Sequence, residues 1–100
     1  MSKTYRGDRT IDGVSVTVDG RPLPYRTDLK PIVEDFEWSY EGDAPKQLAL
    51  AMLADHLGDT GALALYNAFM HTIIANFSNE WEMTSEDLDL AVASIRHRAM

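Results

Sequence analysis

Residue types that perform catalysis are present in this chain, but their spacing forms no recognisable catalytic motif. The three histidines (His56, His71 and His97) are never four residues apart, as the H-E-x-x-H zinc motif requires. No serine lies within a G-x-S-x-G elbow, and the chain has no cysteine to act as a nucleophile or a thiolate ligand. We therefore predict a non-enzymatic protein with no metal site and no cofactor.

Carboxylates are the most abundant charged groups, and most of them follow residue 30. Residues 31–95 contain twelve acids and a single Lys or Arg, Lys46, within a chain of net charge −7. Such a surface repels phosphate backbones, so we expect no direct nucleic-acid binding, and it favours a protein partner with a basic surface. Carboxylate pairs could also catalyse proton transfer if one were desolvated, but a solvated acidic edge is the simpler explanation of them. The acids that we expect to bind the partner are Glu34, Asp35, Glu37, Glu41 and Asp43.

Aromatic residues alternate with polar ones immediately before a helix start. Phe36, Trp38 and Tyr40 would share one face of a strand over residues 36–40, and that face should pack on the core. The strand would place the intervening carboxylates outside. Asp43 is then expected to cap the following helix, with Pro45 in the first turn.

The same aromatic residues suggest a second functional class, a small-molecule or nucleotide-binding module. Trp38 and Tyr40 would stack on the ligand beside Asn67 and His71, which lie four residues apart on a predicted helix. A solvent-exposed helix face would also account for Asn67 and His71.

The N-terminal residues predict a three-stranded meander over about residues 4–23. Turn dipeptides, Asp12-Gly13 and Asp19-Gly20, flank an alternating valine run. A two-residue turn at Asp12-Gly13 would place Arg9 opposite Val16 on the apolar face, so we expect a bulge or a longer first loop. Prolines at 22 and 24 predict a short or edge third strand.

Helical spacing of apolar residues predicts three helices, at about residues 45–57, 60–77 and 85–98. Gly58 ends the first helix, and Thr84 with Asp87 resembles a capping box at the start of the third. The segment Trp81-Glu82-Met83 has the composition of a short strand. We predict an α+β fold in which a small antiparallel sheet is packed by three helices, as a single domain over residues 1–100.

No apolar signal core and no membrane-length apolar run occur in the sequence. We expect a cytoplasmic protein that does not bind membranes. Exposed edges of so short a sheet would allow a homodimer.

The central stretch resembles a family of small uncharacterised proteins from phages, plasmids and prokaryotic genomes. Their hallmark is a Gly-Phe-Glu-Trp-Gly-Tyr-Gly-Gly-Ser-Gly-Pro-Ala-Gln-Leu-Ala-Leu run, which this chain matches between Phe36 and Leu50. Similarity extends to Ala54–Asp59, to Tyr5-Arg6-Gly7, to the Val16–Leu23 hairpin and to the segment from Trp81 to Asp87. The chain replaces several loop glycines and carries Asp43 where the family has Ser. The resemblance implies no known activity.

Acidic replacements in this stretch disfavour a phosphate-binding loop at the helix start, because two added carboxylates oppose an anion. Small size, acidity and the resemblance to mobile-element proteins lead to our functional hypothesis. The chain is expected to inhibit a nucleic-acid-handling defence complex, as anti-CRISPR proteins do, by presenting carboxylates to a basic groove.

Overall fold

The computed structural model describes residues 2–98, and these form the predicted α+β fold. Four strands make one antiparallel sheet in the order β3-β2-β1-β4, and helices cover one of its faces. The strands are β1 (Thr4–Thr10), β2 (Gly13–Val18), β3 (Arg21–Pro22) and β4 (Trp81–Thr84). The helices are α1 (Asp43–Leu57), α2 (Asp59–Thr72) and α3 (Ser85–Arg98).

The predicted strand at residues 36–40 is wrong. This segment is irregular, and the fourth strand of the sheet is instead β4, at the short segment after α2. Ser39 explains the failure, because its φ of 78° breaks the extended backbone and its N–H donates to the carbonyl of Ile74 rather than to a neighbouring strand. Phe36 and Trp38 are buried, as the alternation of aromatic residues indicated, but the backbone that carries them is not a strand.

The β1–β2 hairpin turns one residue earlier than the sequence predicted. Its turn residues are Ile11 and Asp12, and Gly13, with a φ of 114°, already belongs to β2. Arg9 consequently pairs with Val14 and not with Val16, so neither a bulge nor a longer loop is needed. The second turn, at Asp19-Gly20, has the positive φ angles expected, and β3 is a two-residue edge strand.

Across the three longer strands, one face contributes to the core. Gly7 lies opposite both Val16 and Trp81, and Tyr5 lies opposite Val18 and Met83. Because Gly7 has no side chain, the indole of Trp81 lies directly over it, and a Cβ at this position would overlap the ring. The bulky aromatic side chain thus fills the space that the glycine leaves.

Helix α1 is the buried centre of the fold, as its apolar sequence predicted. Its residues 47–54 are all buried, and it forms a hairpin with α2 through Gly58. Gly42 is the N-cap residue, Asp43 is the first helical residue, and within the described part of the chain no side-chain hydrogen bond caps this end. The prediction that Asp43 caps α1 is therefore wrong.

Helix α2 ends at Thr72, five residues short of the predicted end at 77. A 3-10 turn follows at Ile74–Asn76 and buries Ile74 in the core. The side chain of Asn76 donates to the carbonyl of Thr72 and so satisfies one of the free carbonyls at the helix end. The start of α3 is the capping box that the sequence predicted, since Thr84 and Asp87 exchange side-chain to backbone hydrogen bonds of 3.0 and 3.2 Å.

A hydrogen bond connects the start of the sheet to the end of α1. The hydroxyl of the fully buried Tyr5 donates to Asp55 over 2.6 Å, and Lys3 pairs with the same carboxylate at 3.2 Å. Burial, followed by this hydrogen bond, raises the pKa of Tyr5 well above its usual value of 10.0. The neutral phenol is therefore the form that stabilises the fold.

We expect Tyr5→Phe to lower the free energy of unfolding by about 1 kcal/mol at neutral pH, since one hydrogen bond is lost. Because the pKa of Tyr5 is higher in the folded than in the unfolded state, its protonated hydroxyl contributes fully to stability at pH values below the unfolded-state pKa. This contribution is lost as the pH rises towards the folded-state pKa. The stability advantage of the wild type over Tyr5→Phe should thus stay constant up to about pH 9 and shrink above about pH 10. Urea unfolding of the wild type and the variant, below about pH 9 and again above about pH 10, measures this stability difference. Tyr40→Phe, at a half-exposed ring, is the control, and an advantage that grew at high pH would contradict the assignment.

Candidate partner-binding surface

Residues 34–43, here called the acidic segment, contain five of the acids that the sequence analysis selected and no Lys or Arg. Residues 34–42 continue the long loop after β3 without regular structure, and Asp43 is the first residue of α1. Two buried aromatic side chains anchor it, because Phe36 is 4% exposed and Trp38 is fully buried. The Ser39 hydroxyl adds a 2.6 Å hydrogen bond to the carbonyl of Phe77. An irregular backbone is therefore held at several points along its length.

Arg9 fastens the acidic segment to the sheet. Its guanidinium lies 4.8 Å from the centre of the Trp38 ring, and one nitrogen donates to Glu37 at 2.6 Å and to the Trp38 carbonyl at 3.0 Å. A second nitrogen donates to Asn79. The contacts combine an ion pair, a cation–π contact and a backbone hydrogen bond on a side chain that is 28% exposed. Glu37 is consequently neutralised within the chain.

Gln47 plays the corresponding role for the loop before the acidic segment. Its amide nitrogen donates to the carbonyls of Tyr25 and Lys30 at 2.6 and 3.3 Å, and its oxygen accepts from the amides of Ile32 and Val33 at 3.0 and 3.1 Å. All four hydrogen-bonding positions of this buried amide are thereby used. Sequence reasoning missed Gln47 and Arg9. For Gln47, the available sign in the sequence was its position as a polar residue in the first turns of a largely apolar helix.

The five selected acids divide into two groups in the structure. Glu37 binds Arg9, and Glu41 lies 2.7 Å from His71 on α2. Glu34, Asp35 and Asp43 are exposed and form no ion pair with any of residues 2–98, although Asp35 accepts a 2.9 Å hydrogen bond from the Phe36 amide. These three carboxylates are the ones available to a partner.

The residues of the small-molecule alternative do not come together as a stacking site. Trp38 is fully buried and has no exposed ring face, while Tyr40 is 50% exposed. Asn67 is exposed on α2, and His71 is engaged by Glu41. Tyr40 is thus the one member of this set that offers an aromatic surface.

A polar cleft of about 430 Å³ lies at the other end of α1. Its charged groups are largely paired: Asp55 with Tyr5 and Lys3, and His56 with Asp89 at 2.6 Å. Asp55 and His56 point to different partners, as their neighbouring positions on a helix predicted. Within residues 2–98, no group of three potential metal ligands is found. In the same part of the chain, the helices are too short or too polar to cross a bilayer.

A protein-family model described as a family of unknown function, DUF6166, matches residues 5–94. The match spans the sheet from the second residue of β1, the acidic segment, α1, α2 and the first ten of the fourteen residues of α3. No curated protein and no solved structure matches the chain.

Replacing Arg9 with Met should lower the free energy of unfolding by about 2 kcal/mol, because charge-assisted hydrogen bonds and the pairing of Glu37 are lost together. Arg6→Met is the matched control. Arg6 lies on the same strand but on the exposed face, where Glu82 is its one ion-pair partner among residues 2–98, so its loss should change stability little. Urea unfolding of both variants gives the comparison. Equal stability losses would show that Arg9 does not hold the acidic segment.

Proposed function

We propose a function for this chain, which belongs to the DUF6166 family of unknown function: it is a non-enzymatic binding protein that inhibits a partner with a basic surface. The partner that fits best is a nucleic-acid-handling defence complex, inhibited in the manner of an anti-CRISPR protein. A basic groove built to hold phosphates attracts any surface that presents several carboxylates in a fixed arrangement. The resemblance of the aromatic stretch to phage and plasmid proteins supports a mobile-element origin.

One observation supports this proposal most strongly: exposed acids are presented by a segment with buried anchors. Phe36, Trp38 and the contacts of Arg9 hold the backbone, while Glu34, Asp35 and Asp43 point to solvent. Side chains on a fixed backbone lose less entropy on binding than side chains on a mobile loop. In the sequence, Tyr40 lies between Asp35 and Asp43, and its ring is half exposed. Tyrosine is one of the residue types enriched at interaction hot spots.

The internal ion pairs narrow the set of acids that would contact the partner. Charge reversal at Glu37 would place a cation beside Arg9 and disturb the fold, so it cannot report on binding alone. The Glu41 carboxylate lies 2.7 Å from the His71 ring and so already has a contact within the chain. We therefore assign the main role to Glu34, Asp35 and Asp43, with Tyr40 as the central contact.

Capture from a lysate of the organism that encodes the chain would identify the partner. We then expect the Glu34→Gln, Asp43→Asn double variant to associate about tenfold more slowly at low salt, because exposed interfacial charges mainly accelerate association. Wild-type binding should weaken as salt rises, since screening reduces the attraction. Biolayer interferometry at several salt concentrations measures both effects.

The control is the Asp12→Asn, Glu80→Gln double variant, which changes net charge by the same amount at two exposed acids outside the acidic segment. Its association rate should remain close to that of the wild type. If both double variants slowed association equally, the effect would come from net charge alone, and the acidic segment would lose its assigned role.

A further inference from the structure

One edge of the sheet is left without a neighbour over half of its length. Strand β3 pairs with Thr17 and Val18 alone, and the last contact on this side is a 3.1 Å hydrogen bond from the Leu23 amide to the Val16 carbonyl. Pro24 then follows, which has no N–H to continue a ladder. From Gly13 to Ser15, no strand among residues 2–98 pairs with β2 on the side away from β1.

The alternation of backbone groups identifies which atoms this edge exposes. In a strand, the N–H and C=O of every second residue point to the same side. Since the carbonyl of Val16 points away from β1, the N–H and C=O of Val14 point in that direction as well. Val14 therefore offers one unpaired donor and one unpaired acceptor at the open edge, in the spacing that a neighbouring strand requires.

An apolar groove of about 260 Å³ runs beside the same edge. Its walls come from β2, from β3 and the loop after it, and from the acidic segment. Most of the lining residues are apolar, and Ser15 is the polar one: Val14, Ser15, Val16, Pro22, Leu23, Tyr25 and Phe36. The rings of Tyr25 and Phe36 lie 4.6 Å apart, and Tyr25 is 40% exposed. The groove lies on the core-facing side of β2, where alternate side chains of an added strand would point.

We propose that the open edge of β2 and this groove bind an extended peptide of a partner protein as an additional β-strand, with one apolar side chain in the groove. Backbone hydrogen bonds to Val14 would give affinity, and the groove would select the side chain. This inference deepens the proposed function, on which the expected charge of the peptide rests. Phe36 lines the groove, and the acids Glu34 and Asp35 immediately precede it in the sequence. These acids favour a peptide that carries Lys or Arg next to the apolar residue that enters the groove.

A second copy of the chain fits this edge less well than a basic peptide does. Pairing of two β2 strands would bring the same acids of both copies towards each other in a protein of net charge −7. The groove would also receive only Val14 or a neighbouring β2 residue of the other copy, and Ser15 and Thr17 alternate with those valines. A partner peptide can instead carry a large apolar residue at the required position.

Panning a phage-displayed library of random peptides against the full chain tests the inference. The library is counter-selected against Val14→Pro, which removes the edge donor without removing a hydrogen bond to β1. We expect enrichment of proline-free sequences that alternate apolar residues with Lys or Arg. One enriched peptide, synthesised and titrated into ¹⁵N-labelled protein, should shift the amide signals of Val14 and Val16. Its affinity should fall at least about tenfold in Val14→Pro.

Tyr25→Ala provides a second variant that keeps every backbone donor of β2. It should weaken the same peptide by opening the groove, whereas Thr17→Ala, at a β2 position that does not line the groove, should not. No enrichment over Val14→Pro, or shifts confined to other residues, would overturn the inference. Concentration-dependent dimerisation that Val14→Pro abolishes would also overturn it, because the occupant would then be a second copy.

The outcomes separate this inference from the proposed function. If peptides bind at Val14 but the charge variants at Glu34 and Asp43 leave partner association unchanged, the strand site stands and the charge-driven function fails. If the charge variants slow association while no peptide binds the β2 edge, the function stands and the strand site fails.

Discussion

Arg9 is the contact on which the shape of the acidic segment depends. A strand residue with a guanidinium group reaches across the edge of the core and binds the backbone of Trp38, the ring of Trp38 and the carboxylate of Glu37 at once. Without such a contact, an irregular segment rich in acids would repel itself and move freely. The arginine removes one negative charge and fixes the backbone, and the remaining acids are then held at the surface.

Gln47 extends the same principle to the loop before this segment. A loop of this length has many backbone donors and acceptors, and burying part of it requires a partner for each. One buried amide supplies four of these hydrogen bonds from the first turns of α1. The most buried helix of the fold thereby also positions the segment that we expect to bind a partner. The hydrogen bonds of Gln47 therefore both stabilise the fold and fix the loop that leads into the proposed recognition surface.

The sequence predicted well those features that depend on neighbouring residues. The Asp19-Gly20 turn, the capping box of Thr84 and Asp87, and the extent of α3 were all found correctly, since each is decided within a few positions. The strand at 36–40 was wrong because the partners of that segment are distant. Glu37 and Arg9 are 28 residues apart, and the Ser39 amide binds the carbonyl of Ile74 in the 3-10 turn after α2. Aromatic alternation indicated burial correctly for Phe36 and Trp38 but not for the half-exposed Tyr40, and it could not identify which groups would satisfy the backbone. For the same reason, all five acids looked equally available from sequence.

The central claim is that contacts with Arg9 and with the residues after α2 hold the acidic segment rigid in the free protein, while Gln47 fixes the loop that leads into it. Backbone ¹⁵N relaxation of residues 34–43 tests this claim most directly, because it reports motion without any partner. The account predicts order parameters near 0.85 for Trp38 and Ser39, close to those of α1. Values below about 0.6 across the segment would contradict it, since the acids would then sample many arrangements and present no fixed surface.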